Sequence, residues 1–291
     1  MKPPPFDYVL PATVDEVVVT LAASENARVL AGGQSLVPLL NLRLARPDVV
    51  VDVNALSELD FVEASNGSVR IGALTRHRTL ELDPTAAEVV PLLAEAASLV
   101  GHPHIRNRAT VGGSVAHADP AAEFGAVLVA LEGSVVVQGP SGRRSIDARD
   151  LYEGFFTTSI RPDELLVEVV VPARGSSTGY AFREFAPRHG DFATAGIAAS
   201  VELGDGRCIA ARLAGCGLGT TPVDLSPCAE SLVGASEASR EVLEDVASRV
   251  AAAVDPNGDV HGSAEYRREL AQLLAAEAAR LAWERASGGP R

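Results

Sequence analysis

The chain has 291 residues, 47% of them hydrophobic and 22% charged, enough for a sizeable core and too apolar for general disorder. Its formal net charge of −13 argues against non-specific binding to nucleic acid or to an anionic membrane surface. The single lysine, Lys2, excludes a Walker-type phosphate loop and a pyridoxal Schiff base, both of which need an internal lysine.

The N-terminal MKPPPFDYVLPAT lacks the apolar core of a secretory signal. Thr13 and Glu16 form a capping box ahead of the helical VVVTLAASEN. ARVLA reads as a strand, AGGQS as a glycine turn, SLVPLLNLRL as an apolar run, and DVVVDV as a buried strand that closes an α/β unit near residue 54. SVRIGAL is a strand, and TAAEVVPLLAEAASLV has helical spacing. GHPHIRNRATVGGSVAHADPAAE, rich in Gly, Pro, His and Arg, predicts an ordered loop with little regular structure. FGAVLVALEG is helical, SVVVQG a strand, GPSGRRS a turn, and DELLVEVVVP a strand ending at Pro172. ARGSSTG, residues 173–179, is the best linker candidate. Strands YAFREFA, ATAGIAASVEL and CIAARLAG follow, then two helices, EASREVLEDVASRVAAAV and AEYRRELAQLLAAEAARLAWERA. This order predicts α+β domains. No apolar run approaches the ~20 residues of a membrane-spanning helix.

Two paired-glycine tracts stand out, Gly32-Gly33 and Gly112-Gly113. Each lies beside an apolar run and has hydroxyls nearby: Ser35 in the first, Thr110 and Ser114 in the second. Loops with bare backbone N–H groups can converge into an anion-binding nest, which suits a pyrophosphate that has no lysine to neutralise it. On spacing alone, two unrelated tight turns account for the pattern as well. GCGLG at 215–219 stops one glycine short of a dinucleotide fingerprint. His102 and His104 in HPH lack Cys or Glu partners and read as loop-ordering residues rather than metal ligands. His117 and Asp119 fit a ligand contact and a helix entry equally. RHR at 76–78 fits either a contact with a ligand phosphate or a solvated stretch, and the solvated reading is preferred. Cys208, Cys216 and Cys228 have no C-x-x-C spacing and fit a reducing cytoplasm, with Cys208 and Cys216 as small core residues. The last helix carries an apolar stripe that reads as core.

AGGQS and TVGGSVAHADPAAE resemble the two flavin-binding signatures of the FAD-binding medium subunit of molybdenum hydroxylases, the carbon monoxide dehydrogenase and xanthine dehydrogenase family. IRNRATVGG, TTSIRPDELL, HGDFATAG and DVHGSAEYRREL also match, so the resemblance runs in order from about residue 6 to 281. It implies an α+β fold with a vanillyl-alcohol-oxidase-type (PCMH-like) FAD-binding domain at 1–175, made of α/β subdomains at about 1–56 and 57–175. A C-terminal α+β domain would occupy 176–291. FAD is the implied cofactor. Ala31, Gly32, Gly33, Gln34, Ser35 and Leu36 would line one side of its diphosphate and ribityl chain, with the glycines bare so that the diphosphate can approach. Thr110, Gly113 and Ser114 would line the other side. Glu123 would sit near the ribityl or ring-proximal end, Leu166 against the adenine or isoalloxazine, and Phe192 over the ring. Ser114 stands where Asn or Asp is commoner, Glu123 is one methylene longer than Asp, and Thr194 replaces a lysine of some eukaryotic relatives.

The resemblance further implies an electron-transfer role. A large subunit would carry the molybdenum cofactor, and a small subunit would relay electrons through two [2Fe–2S] clusters to FAD on this chain. Three cysteines cannot build those clusters here, since each takes four Cys ligands. No side chain of this chain is expected to act as acid or base on the substrate. The expected assembly is a dimer of heterotrimers in the cytoplasm, and NAD⁺, a quinone and oxygen all remain open as acceptors. The alternative is a stand-alone flavin-dependent oxidoreductase acting on its own small molecule.

Overall fold

The computed structural model describes residues 2–289. The chain opens with β1 (Asp7–Val9), α1 (Val14–Ala22), β2 (Ala27–Leu30), α2 (Leu36–Asn41) and β3 (Val49–Asp52). The capping box forms: Thr13 Oγ1 accepts from Glu16 N at 3.2 Å, and the Glu16 carboxylate accepts from Ala12 N at 2.8 Å. From that start α1 turns Val14, Val17, Val18 and Leu21 inward. The three strands form a parallel sheet in the order β1-β3-β2, with Val50 and Val51 of the central strand buried.

Next come β4 (Val62–Ser65), β5 (Ser68–Gly72), α3 (His77–Leu82), α4 (Pro84–Val89), α5 (Pro91–Leu99), α6 (Pro103–Arg106), α7 (Val111–His117) and α8 (Glu123–Ala130). After them run β6 (Ser134–Gly139), β7 (Gly142–Asp147), α9 (Ala148–Leu151), β8 (Tyr152–Gly154), β9 (Thr157–Thr158) and β10 (Leu165–Pro172). Five of these strands make a second sheet, β4-β5-β10-β6-β7, joined by antiparallel pairings. The near-continuous apolar run LLVEVVVP is its central strand, buried on both faces.

The structure departs from the sequence expectation in three places here. The stretch beginning GHPHIRNR, expected as a loop, folds into α6 and α7, because Pro103 and the Thr110 cap each start a turn of helix. TAAEVVPLLAEAASLV is two helices, since Pro91 opens α5 instead of continuing α4. The two arginines of GPSGRRS lie in β7 and not in a turn.

The last part contains β11 (Thr178–Phe185), β12 (Ala195–Gly204), β13 (Arg207–Cys216), β14 (Val223–Asp224), α10 (Arg240–Ala253) and α11 (Ala264–Ala286). The strands form a third, antiparallel sheet in chain order. Leu270, Leu274 and a row of buried alanines seat α11 on one face of it. The approach is close: a Cβ on Gly179 would lie 1.9 Å from the Ala282 carbonyl oxygen. α8 packs on the other face, so this sheet shares one core with the middle of the chain. Among the described residues no helix is long and apolar enough to cross a membrane.

Candidate functional site: a cleft between two glycine tracts

The two glycine tracts meet directly. AGGQS leaves the end of β2 and enters α2, while Thr110 to Ser114 begins α7. A Cβ on Gly32 would stand 2.3 Å from the Arg108 carbonyl oxygen and 2.7 Å from Ala109 Cα, so the backbone of the second tract occupies the space a side chain would fill. Gly33 is bare for another reason, its φ of +73°. The approach expected of a ligand at Gly32 is therefore made by the chain itself. Gly112 likewise packs on Ala73, where a Cβ would come within 2.6 Å of another Cβ.

A polar strap fixes the pair from below. Asn54 Nδ2 donates to the Ala31 carbonyl at 2.9 Å, Arg76 Nη2 donates to Asn54 Oδ1 at 2.8 Å, and Arg76 Nη1 donates to the Arg108 carbonyl. Arg76 is thus a half-buried tie and His77 is wholly buried, which corrects the solvated reading of RHR; only Arg78, paired with Glu81, fits it.

The donors of the two tracts differ. In the second, Val111 N donates to Thr75 O at 2.9 Å, Gly112 N to Ala73 O at 3.0 Å, Gly113 N to Thr110 Oγ1 at 3.1 Å and Ser114 N to Thr110 O at 3.0 Å. Those groups are spent on helix capping and docking, so the nest of bare N–H groups from both loops does not form. In the first tract, among the described residues, no protein acceptor meets the N–H of Gly32, Gly33, Gln34 or Ser35. Gln34 Nε2 folds back onto the Gly32 carbonyl at 2.9 Å, and Ser35 makes no side-chain capping bond. Four adjacent N–H groups that no protein acceptor meets can seat an anion.

That seat forms the floor of a cleft of about 640 Å³, within the size range of cofactor sites. Ala31, Gly32, Gly33, Gln34, Ser35, Leu36, Thr110, Gly113, Ser114, Glu123, Leu166 and Phe192 all line it. Leu166 and Glu123 are buried, whereas Phe192 stands 60% exposed at the edge. Sequence reasoning missed Arg28, Phe156 and Ile160, which line the same cleft, and left His77 (in RHR), His117 and Asp119 open, which do too. His77 had a signal: it precedes the fully buried Leu80 by three residues, one helical face. Arg28 is the one Arg or Lys side chain among the lining residues.

Titratable groups in and behind the wall are shifted by burial. Glu123 is pushed up to about 8, by desolvation first and then by the neighbouring Glu184. Glu184 itself rises to about 7 through burial. Burial holds His77 down at about 3, assisted by the Arg106 charge, and its ring lies against Phe124 with centroids 4.8 Å apart. His117, also lowered by burial, leans on Phe156 at 5.0 Å. His102 and His104 stack on each other 5.6 Å apart, and no group of three or more His, Cys, Asp or Glu among the described residues could hold a metal ion.

The family described as "FAD binding domain in molybdopterin dehydrogenase" matches residues 4–174, and "CO dehydrogenase flavoprotein C-terminal domain" matches 180–282. The chain belongs to the FAD-binding medium subunits of molybdenum hydroxylases. Its first domain is an FAD-binding domain, and the donor seat on the cleft floor fits the diphosphate of that cofactor. Among medium-subunit relatives, the 6-hydroxypseudooxynicotine dehydrogenase complex subunit alpha of Paenarthrobacter nicotinovorans is 43% identical over 94% of this chain and 93% of its own length. The nicotine 6-hydroxylase medium subunit of the same organism is 39% identical over 94% and 96%. The fold matches a chain of carbon monoxide dehydrogenase from Hydrogenophaga pseudoflava with a TM-score of 0.95, at 35% identity, over 98% of this chain and 99% of that one.

Proposed function

We propose that this medium subunit passes electrons from [2Fe–2S] clusters on a small partner subunit through FAD to an external acceptor, while a large partner carries the molybdenum cofactor and oxidises substrate. The observation that carries the reading is the row of N–H groups at Gly32 to Ser35 that no protein acceptor meets, in a cleft lined by all twelve residues expected from the sequence. Bound there, FAD would supply the ability to take electrons singly and release them in pairs. The chain's own part is to bind, orient and tune. Ala31 to Leu36 hold one side of the diphosphate and ribityl chain. Thr110, Gly113 and Ser114 form the other side, with the Ser114 hydroxyl as the donor left over after capping. Glu123 lies toward the ribityl or ring end, Leu166 supplies an apolar wall for the adenine or ring, and Phe192 covers the ring edge.

The same reading divides the chain into an FAD-binding domain at 1–175, with subdomains at about 1–56 and 57–175, and a C-terminal domain at 176–291. It also places the subunit in a cytoplasmic dimer of heterotrimers. The test is a visible spectrum of the tagged chain purified gently from its host. Flavin bands overlaid by broad iron–sulfur absorption are expected. Flavin bands alone, with catalytic competence intact, would contradict the reading and favour a stand-alone flavoenzyme.

A further inference from the structure

Glu123 on the cleft wall and Glu184 behind it are two carboxyl groups that a diphosphate seat does not explain. Glu123 opens α8, a helix buried along its whole length, and is itself 3% exposed while lining the cleft. β11 is the edge strand of the sheet on which α8 packs through β12 and β13. Side chains of a strand alternate between faces. Tyr180 and Phe182 belong to the core shared with α8, whereas Ala181 belongs to the other core and Arg183 reaches Glu277 on α11. Parity therefore points Glu184 toward α8. Across the sheet its neighbours are Gly196 and then Cys216, and a Cβ on Gly196 would stand 2.6 Å from Cys216 Sγ and 3.4 Å from Glu184 Cβ.

Among the described residues neither carboxylate forms an ion pair. Glu184 Oε2 is buried with no hydrogen-bond partner. The groups acting on Glu123 are Glu184 and Asp119, and those acting on the nearby Cys216 are Glu123, Glu184 and Asp119. Neighbouring elements also bring His77 of α3, against Phe124, His117 of α7, on whose charge Asp119 acts, and Tyr152 of β8, packed beside Gly125 with its hydroxyl buried. A buried carboxylate and a half-buried one beside it, with no cation paired to either, cannot both ionise cheaply.

We propose that Glu123 and Glu184 hold one proton between them at neutral pH, and that Glu123 thereby meets the cofactor as a hydrogen-bond donor and not as an anion. The shared proton is independent of the cofactor reading; the donor role rests on it. Infrared titration of the cofactor-free chain decides the first half. A protonated-carboxyl stretch is expected at pH 7, lost only on going alkaline, and Glu184→Gln should lower that midpoint by about one pH unit because the like charge is gone. No such band at pH 7, or a midpoint unmoved by Glu184→Gln, overturns the pair. FAD titration between pH 6 and 9 decides the second half. Affinity should fall about tenfold per pH unit above the midpoint, and stay flat in Glu123→Gln. Affinity that is flat in the unsubstituted chain overturns the donor role alone. FAD binding at no pH overturns it together with the cofactor reading, while the infrared midpoint still judges the shared proton.

Discussion

Gly32 and Gly33 are adjacent, equally small, and bare for different reasons, one because the Arg108 carbonyl occupies its side-chain space and the other because its φ is positive. Gly32→Ala should accordingly cost about 1–3 kcal/mol, as overpacking does, and weaken FAD binding at least tenfold by prising the tracts apart. Gly33→Ala should cost about 1 kcal/mol, the left-handed penalty for a residue with a Cβ. Thermal unfolding and FAD titration of the two variants check this ordering. Both glycines were visible in the sequence, but the neighbour that requires Gly32 lies 76 positions away and leaves no local mark. His77 makes a second prediction. Its folded-state value of about 3 lies below the ordinary imidazole range, so the stability it contributes is complete above pH 6.5 and is lost as pH falls toward 3. At pH 5 the loss amounts to about 2 kcal/mol. His77→Phe should remove that acid sensitivity while keeping the contact with Phe124, as read by urea unfolding of the cofactor-free chain at pH 7 and pH 5.

At the scale of elements, the capped helix α1, the apolar strands β3 and β10 and the long α11 were legible because each carries its periodicity and end signals within one stretch. α7 was not. Its sequence, VGGSVAH, has two glycines that oppose a helix by about 1 kcal/mol each. The helix forms because Thr110 caps it and because Gly112 can dock against Ala73. The loop carrying Phe192 is likewise held from a distance. Arg267, buried on α11, donates through Nη1 to the carbonyls of Thr194 and Gly217 and through Nη2 to Asp259 at 2.7 Å. Arg267→Met leaves both carbonyls unpaired, and should cost about 2–3 kcal/mol in urea unfolding. It should also lower FAD affinity severalfold, through the slackened Phe192 loop. An unchanged FAD affinity would separate that loop from the cofactor site.

Across the whole molecule, the cleft depends on parts far apart in sequence. Glu95 on α5 takes Arg183 of β11 at 3.1 Å and Arg285 of α11 at 2.6 Å, and Gly217 N donates to the Pro120 carbonyl at 2.7 Å just ahead of Glu123. The spaced motifs disclosed the family and the twelve lining residues. They did not disclose that only the first glycine tract keeps its donors free, a fact decided by where Thr75, Ala73 and Thr110 end up. If the first tract seats the diphosphate of one FAD, equilibrium titration of the cofactor-free chain with FAD reads it out. One FAD per chain, with binding weakened at least tenfold by Gly32→Ala, is the predicted result. No flavin uptake, or uptake indifferent to Gly32→Ala, would contradict the account.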